Sequence, residues 1–88
     1  MEWSLGQMVR SRQGRDNGTY YVVVKTEGQF CYCADGRKTT CLHPKRKNIK
    51  HLQVIHRISE KIGTQLRNGE APTDLEIREF LNQYYSNS

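Results

Sequence analysis

The sequence has no long hydrophobic run. No apolar stretch approaches the ~20 residues that span a bilayer. Hydrophobic residues make up 35% of the chain, too low for a membrane protein yet adequate for a compact barrel. The opening Met1-Glu2-Trp3-Ser4-Leu5 has none of the apolar segment of a secretory leader, so the expected location is the cytoplasm. Cysteine is scarce and odd in number: Cys31, Cys33 and Cys41. One must stay unpaired in any disulfide scheme, and reduced thiols are the default without a secretory leader. Repeats and low-complexity tracts are missing, which excludes solenoids. Histidine is limited to His43, His51 and His56, all in or beside one basic segment. No Ser-His-Asp order, no carboxylate pair in an apolar setting and no phosphate-loop pattern is present. The sequence therefore offers no catalytic residue, no cofactor site and no sign of an enzyme.

Carboxylates are nearly missing from the middle of the chain. Residues 45–67 carry seven Lys/Arg against Glu60 alone, a net +6, whereas residues 68–88 carry a net −3. Clustered positive charge is the expected footprint of a polyanion. An anionic membrane surface fits less well, because no strongly amphipathic basic helix accompanies the cluster.

The 88 residues allow one domain with a small core, since such a chain buries only about two-thirds of its unfolded surface. Residues 7–11 read as a first strand. Residues 19–25, Thr-Tyr-Tyr-Val-Val-Val-Lys, are β-branched and aromatic and read as a second. Asn17-Gly18 before it is a turn signal, because both residue types tolerate positive φ. Gln29 to Ala34 reads as a third strand, Asp35-Gly36 as a hairpin turn and Thr39 to Leu42 as a fourth, broken by His43-Pro44. Residues 50–55 read as a fifth. Five short strands with tight turns suggest a barrel that closes its own edges. The expected core is Met8, Val9, Val22, Val24, Leu52 and Val54. Trp3 is expected to cover one end, and alternation turns about half of Tyr20, Tyr21, Phe30 and Tyr32 inward, leaving the others able to stack on bases.

The period changes in the last third. Ser59 can cap a helix over 60–67 that stops at Asn68-Gly69. Thr73-Asp74-Leu75-Glu76 is a capping box, after which Ile77, Phe80, Leu81 and Tyr84 fall at helical spacing. That stripe is expected to pack against the barrel, Phe80 and Leu81 included.

Arg10, Arg12 and Arg15 lie on or beside Gly14-Arg15-Asp16-Asn17-Gly18, a cationic loop between two strands that suits a phosphate backbone. The segment from Gly6 to about Lys25 resembles a KOW motif, found in ribosomal proteins and transcription elongation factors. Gly6 opens the motif, Met8 and Val9 supply its first strand, Gly14 to Gly18 its loop, and Tyr20 to Val24 its second strand. Ala34-Asp35-Gly36, Pro44-Lys45-Arg46-Lys47-Asn48 and Lys50-His51-Leu52 are similar to large-subunit ribosomal proteins of the fourteen-e type, and more so to their small bacterial relatives. Thr39-Thr40 depart from that pattern, which is more basic there. The resemblance implies an SH3-like (KOW) barrel over residues 1–57, with residues 58–88 as a helical extension packed on it, all one domain.

It also implies binding of structured RNA, ribosomal RNA foremost, by a ribosomal or ribosome-associated protein in translation. Ribosomal proteins are further candidate partners, and a monomer is expected off the ribosome. The RNA-binding candidates are Arg10, Arg12, Arg15, Lys45, Arg46, Lys47, Lys50 and His51. Four cations and a histidine within residues 44–51 repel one another in a free loop, and phosphates relieve that repulsion. Bidentate geometry favours Arg46, and the lysines act as point charges. The alternative is a protein-interaction module docking on transcription or translation machinery. A zinc site at Cys31, Cys33, Cys41 and His43 has suitable ligand types, but C-x-C on a strand is unlike the usual C-x2-C turn. Buried free thiols are the expected state, and no metal ligand is assigned.

Overall fold

Val22, Val23 and Val24 are consecutive and all buried, so the strand that holds them is covered on both faces. This strand is the centre of the sheet. The computed structural model describes residues 3–86. Its strands are β1 (Gln7–Ser11), β2 (Tyr20–Glu27), β3 (Phe30–Ala34), β4 (Lys45–Asn48) and β5 (Leu52–Ile58), with a short 3-10 turn, Ile49–His51, between β4 and β5. Two helices follow, α1 (Glu60–Arg67) and α2 (Asp74–Ser86). The strands form one five-stranded sheet in the order β4-β3-β2-β1-β5, and every neighbouring pair is antiparallel.

The two faces bury different residues. Met8, Val22, Val24 and Ala34 point to the side covered by the helices, where they meet Ile62 of α1 and Ile77 and Leu81 of α2. Val9, Tyr21, Val23, Cys31, Cys33 and Leu52 form a second cluster on the other side, closed by Trp3 and Ile49. The described residues packed on this second cluster come from the N-terminal segment and the 3-10 turn rather than from a helix. Of the expected core, Met8, Val9, Val22, Val24 and Leu52 are buried, while Val54 is only half-buried. Leu81 is buried and Phe80 packs against the helix-side cluster, as expected.

The helices begin where their caps predict. The Ser59 hydroxyl accepts from the Ile62 amide at 3.1 Å. The Thr73 hydroxyl accepts from the Glu76 amide, and the Glu76 carboxylate accepts from the Thr73 amide, each at 3.1 Å. That reciprocal pair satisfies two amides the helix would leave open. Two glycines set the helices against the sheet. Gly6, at φ +84°, lies so close to α1 that an added Cβ would sit 2.5 Å from the Ser59 carbonyl oxygen. Gly36, at φ +76°, would meet the Asp74 carbonyl oxygen at 2.6 Å, and its own carbonyl accepts from Arg78 of α2 at 2.7 Å.

Three expectations need correction. Thr39 to Leu42 is not a strand but part of an irregular connection over residues 35–44. The Asp35 carboxylate accepts from the amides of Arg37 and Thr39, at 2.9 and 3.0 Å, and Thr40 accepts from the His43 amide at 2.9 Å. Such side-chain-to-backbone bonds compete with a ladder. The fourth strand is instead Lys45–Asn48, so Cys33 pairs with Lys45 and Cys31 with Lys47. Nor does Asn17 adopt positive φ; Gly14 and Gly18 do, within a longer loop than a two-residue hairpin turn. Finally, the sheet is not closed, because no ladder joins β4 to β5. The 3-10 turn bridges them: Ile49 donates to the Gln29 carbonyl and His51 accepts from the Arg12 amide. The architecture is thus an open five-stranded antiparallel sheet with two helices.

Candidate nucleic-acid interface

The loop after β1 folds around one carboxylate. Gly18 donates its amide to Ser11 and Ser11 donates to Thr19, both at 2.8 Å, which closes the loop at its neck. Inside it, Asp16 is the lone acidic residue between Trp3 and Thr26. Its Oδ1 accepts from the Ser11 hydroxyl at 2.8 Å and from Lys47 Nζ at 3.1 Å. Its Oδ2 accepts from the Tyr21 hydroxyl at 2.7 Å and lies 3.1 Å from Lys45 Nζ. Burial alone would raise the Asp16 carboxyl, but hydrogen bonds from Tyr21, Ser11, Lys47 and Lys45 outweigh it and hold the group well below the usual carboxylate range. Tyr21 is pushed the opposite way, by burial first and then by its bond to Asp16.

Period two explains which cations Asp16 receives. Lys45 and Lys47 are two apart on β4 and share a face, the face on which Cys31 and Cys33 are buried. Their side chains therefore turn toward the loop. Lys47 is 9% exposed and also donates to the Gln13 carbonyl at 3.1 Å; Lys45 remains 42% exposed. Arg46 and Asn48 point outward, and Arg46 Cζ lies 3.7 Å from the centre of the Phe30 ring.

The predicted site residues therefore divide. Arg12 and Arg15 are exposed on the loop, and the Arg12 amide donates to the His51 carbonyl at 2.8 Å. That bond brings the loop beside exposed Lys50 and half-buried His51. Arg10 is half-buried, with its guanidinium 3.7 Å from where a Cβ on Gly18 would sit. Lys45 and Lys47 stand apart as the counter-charges of Asp16, and Lys47 is buried against it. Asp16 and Ser11 are residues to which the sequence assigned no role, and Tyr21, expected as core or as a base-stacking ring, is instead buried with its hydroxyl on Asp16. Two signals marked them: a single carboxylate among three arginines, and a K-x-K spacing able to aim two cations the same way.

The thiols are not gathered. Cys31 and Cys33 belong to the second cluster, while Cys41 packs against the helix-side cluster. Burial pushes the Cys31 thiol up to about 11 and the Cys33 thiol to about 12, so both stay protonated and unreactive. Among the described residues no group of three or more His, Cys, Asp or Glu side chains could hold a metal ion, and no helix is long and apolar enough to cross a membrane.

No protein-family model matches this chain, and no curated protein matches it.

Proposed function

We propose that this protein binds RNA through the end of the sheet formed by the β1–β2 loop and the 3-10 turn. The observation that carries this is the Asp16 hub. It consumes the charge of Lys47 and part of that of Lys45, and it leaves Arg12, Arg15 and Lys50 exposed on adjoining segments. Exposed cations fixed on a rigid loop suit a phosphate backbone, which rewards preorganised charge. The strand order, with a 3-10 turn between the last two strands, supports reading the sheet as an SH3-like barrel of the KOW type. Under that reading the partner is structured RNA, ribosomal RNA foremost, and the protein works in the cytoplasm on or beside the ribosome. Binding rather than catalysis is its role.

A protein-docking role is the second reading, favoured by Leu42 and Leu75. These are 76% and 56% exposed, and Leu42 lines a shallow groove with Cys41, His43, Pro72 and Thr73. Crosslinking in cells, followed by sequencing of attached RNA, separates the two. The RNA reading expects ribosomal RNA crosslinked at Arg12, Arg15 or Lys50. A protein partner without RNA would overturn it.

A further inference from the structure

A patch on the helix-side face of β2, β3 and β4, next to the 3-10 turn that Asn48 caps, carries a different chemistry. Lys25 pairs with Tyr32, and Tyr32 with Arg46, so three side chains form one row across β2, β3 and β4. Glu27, Phe30 and Asn48 form the next row. Directly opposite residues share a face, so the six side chains make one surface. Lys25, Glu27 and Arg46 are exposed there and both rings are partly so.

The surface depends on a bulge. Val23 pairs with Cys33, yet the next pair is Lys25 with Tyr32. Val24 is the extra residue, and it is buried in the helix-side cluster. In a regular ladder Lys25 would lie opposite Cys31, on the face that buries the second cluster. The bulge turns it outward instead, as bulges re-aim side chains. Its ammonium then stands 5.2 Å from the Tyr32 ring centre. Arg46 lies at stacking distance from Phe30, so the guanidinium is held against the ring while its outer face stays open. Neither Lys25 nor Arg46 takes part in an ion pair among the described residues.

We propose that this face binds a single-stranded segment of RNA, with bases stacked on Tyr32 and on the Arg46–Phe30 pair and phosphates drawn by Lys25 and Arg46. The inference rests on the RNA-binding reading and extends it from backbone contact to unstacked bases. Rings offer every base a π face, and the adjoining cations supply the charge. An A-form duplex hides its base faces and gains nothing from the rings. Glu27 marks the limit of the surface, because its carboxylate repels phosphate beside Phe30.

The test is binding of three probes to the intact protein: a single-stranded RNA of about ten nucleotides, an abasic ribose-phosphate oligomer of the same length, and an RNA duplex. The wild type should prefer the base-bearing strand to the abasic one by roughly fivefold or more. Phe30→Leu and Arg46→Lys should each reduce that preference while leaving duplex binding unchanged. Arg46→Lys retains the charge, so its salt dependence should not move. Glu27→Gln should strengthen single-strand binding. Circular dichroism of each variant confirms the fold before binding is measured. Equal affinity for base-bearing and abasic strands, with duplex binding intact, would overturn the inference and leave the loop-end reading standing. No binding to any probe would overturn both.

Discussion

Asp16 is the residue on which the loop end depends. It gathers two hydroxyls and two ammonium groups, and Lys47 is nearly enclosed against it. Removing one partner of a buried ion pair strands the other, which costs about 3–5 kcal/mol. Asp16 is half-buried and Lys45 is exposed, so Asp16→Asn should cost less than that, about 1.5–3 kcal/mol in urea denaturation, the range for hydrogen bonds to a charged group. Lys47→Ala should cost less again, because Ser11, Tyr21 and Lys45 still hold the carboxylate. A variant within 0.5 kcal/mol of wild type, about the scatter of a surface substitution, would remove the hub from the account. The pH dependence has a definite sign. The folded-state pKa of Asp16 is depressed, so its contribution is fully present above the unfolded aspartate value of about 3.9 and is lost as pH falls through and below it. Wild type should lose stability on acidification below about pH 4, and Asp16→Asn should lose less over the same window, read as urea midpoints at successive pH values.

Among the elements, α1 is the one most legible in the sequence, because its boundary signals are local. Ser59, the run to Arg67 and the Asn68-Gly69 stop need no tertiary information, and the helix spans Glu60–Arg67 with Ser59 as its cap. Ser59→Ala should cost about 1 kcal/mol in thermal or urea unfolding, whereas Ser59→Asp should retain most of the stability; equal losses in both would mean that the cap hydroxyl is not the cause. β4 is the opposite case. Lys-Arg-Lys-Asn has low strand propensity, and only β3 at its side and Asp16 across the fold make it a strand. Propensity lost there to tertiary pairing. Thr39 to Leu42 reads as a strand after an Asp35-Gly36 hairpin turn, but the Asp35 carboxylate and the Thr40 hydroxyl hold the amides of Arg37, Thr39 and His43 instead. The candidate site was legible to the same extent. Arg12, Arg15 and Lys50 are visible from charge alone. The inward turn of Lys45 and Lys47 is not, since it follows from a strand that the sequence conceals.

At the scale of the whole molecule, the fold sorts the cations near the loop into a part that holds the loop and a part that faces solvent. The first part, buried Lys47 and more exposed Lys45 on Asp16, holds the loop. The second part, Arg12, Arg15 and Lys50, faces outward at one end. The decisive measurement is the affinity for ribosomal RNA fragments across a salt series, for wild type and for the combined Arg12→Ala, Arg15→Ala and Lys50→Ala variant. Each lost phosphate contact should reduce the slope of log K against log salt by about 0.7–0.9, so the triple variant should bind more weakly, with a slope lower by about two or more and an unchanged unfolding midpoint. A triple variant that keeps both its affinity and its salt slope would contradict the account.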